Sequence, residues 1–303
     1  MNRWIEETFH PHWRVALEAG RVLHEVKTEH QHLVIFENAT WGRVLMLDGV
    51  CQLTTSDEFI YHEMMAHVPL MALSKPKRVL VVGGGDGGVL REVLKHPTVE
   101  NATLCEIDRS VIDLSLEHFS EVSAGAFDNP RAEVVIADGL EFAAKTKDKF
   151  DAIIVDSSEP IGPSVVLHTP EFFADCKRAL LEDGIFITQN GLPFLFPSHL
   201  AETTAALAKL YKRAAPFLCV QPCYFGGPFA LNWGSDDVDL LELPVKKLAK
   251  RQQRRGVVTR YWTPAVHVGA FALPGYVQET VDKALASPAE KKSRRKAKIT
   301  AHG

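Results

Sequence analysis

The pattern of apolar and polar positions changes along the chain, and each change marks a different kind of structure. Over residues 1–55 apolar and polar side chains alternate, which is the signature of strands with one covered face. Runs at 22–27, 33–37, 43–47 and 50–54 read as strands. Turn-forming segments separate them, Asn38-Ala39-Thr40-Trp41-Gly42 and Asp48-Gly49, the second a strong hairpin signal. They predict a small antiparallel sheet, too small to be stable alone, that packs on the rest of the chain or on another subunit. At 59–70 the spacing becomes helical, behind an N-cap signal at Thr55-Ser56-Asp57-Glu58, and predicts a linking helix. From Arg78 onward, short Val- and Ile-rich runs at 79–82, 102–107, 133–136, 150–155 and 185–189 alternate with helical stretches near 88–95, 109–118, 139–145, 170–182 and 198–213. Continuous apolar runs of this length suit strands buried on both faces, joined in parallel by right-handed helical crossovers. Strand-like runs near 217–224 and 228–234 predict a hairpin that makes one end of the sheet mixed. The expected fold is α/β, a Rossmann-like doubly wound sheet (residues 77–287) behind a small N-terminal antiparallel β domain (1–55) and a linking helix (56–76).

Ligands of such sheets bind beyond the carboxyl ends of the strands, so the residues after each run are the ones that matter. The first run, 79–82, enters Gly83-Gly84-Gly85-Asp86-Gly87-Gly88, a loop that lets backbone approach a ligand closely. The spacing Gly83-x-Gly85-x-x-Gly88 fits the dinucleotide fingerprint, but alone it is weak, since such turns also serve only helix-on-strand packing. Two residues refine it. Glu106 closes the second run, where a carboxylate would grip a ribose diol. Asp86 places negative charge where a diphosphate would lie, which argues against NAD or FAD and for a nucleoside carrying positive charge. After the third run comes Asp138-Gly139, after the fourth Asp156 to Pro163, after the fifth Gln189, and after the sixth Tyr224. Five carboxylates (Asp86, Glu106, Asp138, Asp156, Glu159) thus converge on one edge. Helix capping explains Asp138 and one residue of 156–159, but not all five. Crowded carboxylates raise one another's pKa, and a polycationic ligand relieves the strain. Pro160 and Pro163 stiffen the loop 156–163, which suits an acid held closely enough for general-base chemistry.

Composition narrows the field further. At 303 residues the chain can hold one large domain and a smaller one. A net charge of −4 predicts neither a nucleic-acid nor a membrane surface. Five scattered cysteines read as reduced thiols of a cytoplasmic protein. Residues 1–20 lack the apolar core of a signal peptide, and no run reaches the ~18 apolar residues of a membrane span. The tail 288–303 is strongly basic and is expected to be disordered, with a weak anionic contact as the lesser reading. His62 and His67 suggest a zinc helix but stand five apart, so at ~100° per residue they point about 140° from each other, and no metal site is expected.

Several motifs taken together resemble a family. His30-Gln31, Asp57 to Glu63, Gly83 to Gly87, Glu106-Ile107-Asp108, Asp138-Gly139, Asp156 to Pro163 and Pro222-Cys223-Tyr224 occur in the order seen in spermidine synthases of bacterial type, the polyamine aminopropyltransferases. The resemblance runs from about His24 to Tyr276. It implies a methyltransferase-type sheet and transfer of the aminopropyl group of decarboxylated S-adenosylmethionine to putrescine, giving spermidine and methylthioadenosine. It implies no cofactor, the nucleoside being a co-substrate, and a homodimer or homotetramer with the N-terminal sheet as a contact. By resemblance Gln31, Gly83, Glu106, Asp138 and Gly139 bind the nucleoside, with Glu106 on the ribose hydroxyls and Pro163 beside adenine. Asp86 takes the ammonium of the aminopropyl arm, and Asp156 takes the proton of the attacking amine. Tyr61, His62, Glu159, Gln189 and Tyr224 join Asp86 and Asp156 around the acceptor. One position departs from the family: the fourth residue of the loop is Glu159 rather than Asp. Glutamate is one methylene longer, which leaves open a shorter diamine or putrescine in a shifted pose. An S-adenosylmethionine methyltransferase shares the fold but gives no reason for Asp86, which also disfavours a nicotinamide dehydrogenase. A non-catalytic nucleoside or polyamine sensor would not need Asp156. The plainer readings are helix packing for Tyr61 and His62, a core aromatic for Tyr224, a backbone-satisfying amide for Gln189 and a helix cap for Asp108.

Overall fold

Antiparallel strands build the N-terminal region of the computed structural model, which describes residues 3–10, 12–158 and 162–286. β1 (Arg3–His10) and β2 (Trp13–Ala19) form a hairpin, and β3 (Arg21–Lys27), β4 (His32–Asn38), β5 (Gly42–Leu47) and β6 (Val50–Thr54) form a meander. The meander follows the runs read from the sequence. The hairpin does not appear among them: of its described side chains only Leu17 and Ala19 are buried, with Ile5 and Val15 packed half-buried beside them, and its period-2 signal is faint. One face of the meander, with Leu33, Ile35, Leu45 and Leu53, packs on Val111, Leu114, Phe119 and Val122. The other, with Val34, Phe36, Val44 and Met46, packs on Leu17, Ala19 and Cys223.

Next comes α1 (Glu58–Ala72), in which every residue but Phe59 is buried. A helix covered all round is a core element rather than an amphipathic surface one. The cap signal before it works differently from expectation. Asp57 makes no cap bond to the helix; its carboxylate accepts from Thr54 Oγ1 (2.5 Å) and from the Cys223 backbone N–H (2.7 Å), and so ties α1 to a distant loop.

The remaining chain alternates as β7 (Arg78–Gly83), α2 (Gly88–Leu94), β8 (Asn101–Glu106), α3 (Arg109–His118), α4 (Ser120–Ser123), β9 (Ala132–Ile136), α5 (Gly139–Lys145), β10 (Phe150–Asp156), α6 (Pro170–Ala179), β11 (Leu180–Gln189), α7 (Pro197–Leu210), β12 (Arg213–Cys219) and β13 (Phe229–Ser235). The sheet order is β12-β13-β11-β10-β7-β8-β9. The central five strands run parallel, and β13 lies antiparallel between β11 and β12, the mixed end that the last two runs predicted. From β7 the chain steps outward to β8 and β9, then returns to β10 on the other side. The crevice between the ends of β7 and β10 is therefore the topological switch point, where α/β sheets bind ligands. Register places Asp156 directly beside Gly83 there. Three helices follow, α8 (Val245–Arg255), α9 (Pro264–Gly269) and α10 (Gly275–Leu285). Arg251 and Arg255 of α8 donate to the carbonyls of Leu70, Met71, Ala72, Leu73 and Ser74, which anchors the far end of α1. The basic tail at 288–303 lies outside the described residues.

Candidate active site

A cavity opens at the switch point and encloses ≈ 170 Å³ reachable by the centre of a water-sized sphere. Its walls come from both parts of the chain: the ends of β7, β8 and β10, the start of α1, and side chains of the N-terminal meander. Gln31, Tyr61, His62, Gly83, Asp86, Glu106, Asp138, Gly139, Asp156, Gln189 and Tyr224, all singled out in the sequence, line it together. Glu159 lies outside the described residues, as does the side chain of Pro163. Glycine is required where the loop passes the strand end. Gly84 has φ +70°, and a Cβ there would sit 2.7 Å from Asp156 Oδ2.

The side of the cavity with Asp86 and Asp156 is a carboxylate cage with aromatic walls. Tyr61 donates from its hydroxyl to Asp156 Oδ1 at 2.8 Å, and Oδ2 is buried with no partner among the described residues. Burial, then the neighbouring Asp86 charge, push the Asp156 carboxyl up to about 7, against the cationic influence of His62 and the Tyr61 hydrogen bond. Tyr61, Tyr224 and Phe229 meet edge-on or tilted, with centroids 5.0 to 6.0 Å apart. Burial, reinforced by Asp156, raises the Tyr61 phenol well above its usual range, so it remains a donor. The Tyr224 hydroxyl donates to Gln52 O at 2.6 Å, so that residue offers the cavity its ring. One donor atom each from His62, Asp86 and Asp156 falls within 4.8 Å of the others, close enough for one cation to feel all three. Gln189 is held by backbone at both ends: its Nε2 donates to Ser158 O (3.0 Å) and its Oε1 accepts from Gly191 N–H (2.9 Å). The plainer reading of that amide describes its bonds, although it lines the cavity too.

The other side of the cavity centres on Glu106. Its Oε1 accepts from the Asp108 N–H at 2.9 Å. Burial pushes its carboxyl up to about 7, opposed by the backbone N–H groups of Asp108 and Ile107. Asp108 is the cap that the plainer reading expected, accepting from Ser110 N–H at 2.9 Å at the start of α3. It also joins the two parts of the chain, because its Oδ2 accepts from Thr28 Oγ1 (2.8 Å) and from Gln31 Nε2 (3.2 Å). Asp138 caps α5 through Leu140 N–H at 2.8 Å while lining the cavity. A Cβ on Gly139 would lie 2.5 Å from Val82 Cγ1, so the glycine keeps that wall close to the sheet.

Three neighbours escaped the sequence reading. Phe229 completes the aromatic wall, but as the first residue of β13 it resembles any strand residue. Glu58 bonds His62 Nδ1 at 2.6 Å, and Arg91 grips Glu58 with two bonds of 2.9 and 3.1 Å. The i, i+4 spacing of Glu58 and His62 on a helix was the available signal; nothing local pointed to Arg91.

Residues 58–242 match the spermine/spermidine synthase domain. The chain belongs to the spermine/spermidine synthase family. It is thereby a transferase. Residues 3–55 match the spermidine synthase tetramerisation domain, so the two matched segments of this family member meet at the same cavity. The polyamine aminopropyltransferase of Ruegeria sp. (strain TM1040) is 49% identical over 276 residues, covering 91% of this chain and 97% of the relative. That of Pseudomonas syringae pv. tomato is 48% identical, covering 92% and 98%. Among solved structures, a spermidine synthase in complex with the transition state analogue AdoDATO superposes with a TM-score of 0.88 at 36% identity, covering 93% of this chain and 96% of that one. The spermidine synthase from Thermotoga maritima gives 0.85 at 36% identity, covering 93% and 95%. At 93% of this chain, both overlaps take in parts of the N-terminal sheets and of the Rossmann-like part.

Proposed function

We propose that this enzyme transfers the aminopropyl group of decarboxylated S-adenosylmethionine, used as a co-substrate, to putrescine, with Asp156 as the general base. The single observation that carries this is Asp156 itself. It is half-buried beside the glycine loop, one oxygen is steadied by Tyr61, and the other is buried and unpartnered among the described residues. The attacking amine has a pKa near ~10 in water and arrives mostly charged, so it must lose a proton before it can act as a nucleophile. Its nitrogen then bonds to the carbon next to the sulfonium, the carbon–sulfur bond breaks, and the electron pair neutralises sulfur. Methylthioadenosine leaves without needing an acid, and the amine proton goes to Asp156. A carboxyl poised near neutrality can take that proton and later release it. Asp86 would hold the ammonium of the aminopropyl arm, Glu106 the ribose hydroxyls, and Tyr61, Tyr224 and Phe229 the methylene chain of the acceptor. A similar structure, a spermidine synthase in complex with the transition state analogue AdoDATO, supports group transfer as the reaction. The family match of residues 3–55 supports assembly through the N-terminal sheets, as a homodimer or homotetramer.

Asp156→Asn is the test. Transfer should fall by roughly 10²–10⁴-fold, the usual worth of a general base. Methylthioadenosine binding, measured by calorimetry, should change little. Near-full turnover in that variant removes Asp156 from the role. Glu159 keeps a second acceptor in view, so the assay should include 1,3-diaminopropane beside putrescine and follow methylthioadenosine release. S-adenosylmethionine run in parallel tests for methyl transfer.

A further inference from the structure

His62 sits between two carboxylates, one hydrogen-bonded to its ring and one at ion-pair distance. Its Nδ1 lies 2.6 Å from Glu58 Oε2. Glu58 is itself held by both terminal nitrogens of Arg91, so it is a carboxylate and can only accept. Nδ1 must therefore carry a proton. On the other side of the ring, Nε2 faces Asp86 Oδ1 at 3.4 Å. That oxygen already accepts from Gly88 N–H at 2.6 Å, so it too is an acceptor. A ring bonded to one carboxylate and within ion-pair distance of a second favours the doubly protonated form, which carries a positive charge. Arg91 is fixed in turn, donating to Glu92 Oε1 (2.7 Å) and to Val122 O (2.6 Å). All four side chains of the chain His62, Glu58, Arg91, Glu92 are largely withdrawn from solvent.

We propose that Glu58 and Arg91 are positioning residues for the base: they hold His62 as an imidazolium, whose charge keeps Asp156 ionised and able to accept the amine proton. This deepens the reading of Asp156 as general base and rests on it. The groups facing His62 are Glu58 and Tyr61 from α1, Asp86 and the Gly88 backbone from the glycine loop, and Asp156 from the end of β10. Arg91 of α2 reaches it through Glu58. Asp86 and Asp156 line one half-buried cavity, and the Asp86 charge disfavours ionisation of Asp156. A fixed cation within 4.8 Å of both offsets that repulsion before any amine arrives. The titration tendencies agree in direction. Burial alone would lower His62, yet Asp86 and Glu58 carry it up to about 9. Burial would raise Glu58, yet His62 and Arg91 draw it down to about 2.

The test is the pH profile of kcat/KM in Glu58→Gln, which keeps size and loses charge. The acid limb should move up by about one pH unit, so activity on that limb drops up to tenfold and converges on wild type at high pH. Glu58→Asp, which restores the charge, should return the limb toward its original place. A purely structural role lowers activity at every pH and leaves the limb where it was; that outcome overturns the proposal. Should Glu58→Gln fail to fold, ¹⁵N-histidine NMR of the unmodified protein decides, with His62 assigned by its absence in His62→Gln. Both ring nitrogens should be protonated at pH 7.5, and a neutral ring overturns the inference while leaving Asp156 as base. An active Asp156→Asn variant sinks the base instead, and leaves the charge on His62 as measured.

Discussion

Asp86 is a residue with divided duties. It closes the turn of the glycine loop through Gly88 N–H, neighbours the imidazole of His62, and faces the cavity. If Asp86 holds the aminopropyl arm as proposed, a nucleoside that kept its carboxylate would bring a second negative charge against it. Two like charges ~4 Å apart interact by about 4 kcal/mol at the effective dielectric of a partly wet site, enough to reject the wrong co-substrate by about 10³-fold. Asp86→Asn should therefore shrink the preference for decarboxylated S-adenosylmethionine over S-adenosylmethionine by at least about tenfold. Dissociation constants for both nucleosides measure it, and an unchanged ratio removes Asp86 from the selection. Asp86, Asp156 and Glu106 were legible in the sequence because each follows an apolar strand run, and chemistry at the end of a strand is where such folds place ligands. Arg91 was not legible. It lies on the helix after the loop, and its partner Glu58 is 33 residues earlier. Only the packing of α2 on α1 brings the two together.

At the scale of elements, the first turn of α2 touches α1 with no room to spare. A Cβ on Gly88 would stand 2.2 Å from the His62 ring, so the glycine is a contact surface between helices as well as the end of a fingerprint. Gly88→Ala should displace the imidazole from Asp86, destabilise the fold by about 1–3 kcal/mol through overpacking, and lower kcat/KM. Denaturant unfolding and kinetics on the same sample check it; wild-type values in both mean that the helices give way without cost. The parallel strands and their helices were legible because buried strands read as continuous apolar runs. The hairpin of β1 and β2 was not, since only one side of β2 is covered. Nor were α8 to α10: the core-facing side of α8 is made of Leu248 and Arg255 with Arg251, so its mostly cationic sequence carries no apolar stripe. The Asp57 cap misled because a short acidic side chain satisfies whichever donors come closest, and here those belong to Thr54 and Cys223.

For the whole molecule, the N-terminal sheets do two things. The meander closes the cavity from above, through Gln31 and Gln52, and is fastened to the Rossmann-like part by Asp108 and Tyr224. The hairpin carries Trp4 and Trp13 with 60% and 37% of their surface exposed, large aromatic groups that a lone chain would leave in water. If assembly runs through this region, Trp4→Glu combined with Trp13→Glu should lower the molar mass seen by light scattering, with circular dichroism unchanged. An unaltered mass places the subunit contact elsewhere. That this region is all β was legible in its alternation; where its exposed face turns was not, because alternation tells which side is covered and not by what.

One feature limits how such a catalyst can change its taste. The helix that presents Tyr61 and His62 is enclosed along its length and clamped at its distal end by two arginines of α8. It can neither slide nor tilt to suit a longer or shorter diamine without dismantling the interior. Adjustment of reach must therefore fall to cavity-lining side chains carried by elements other than that helix.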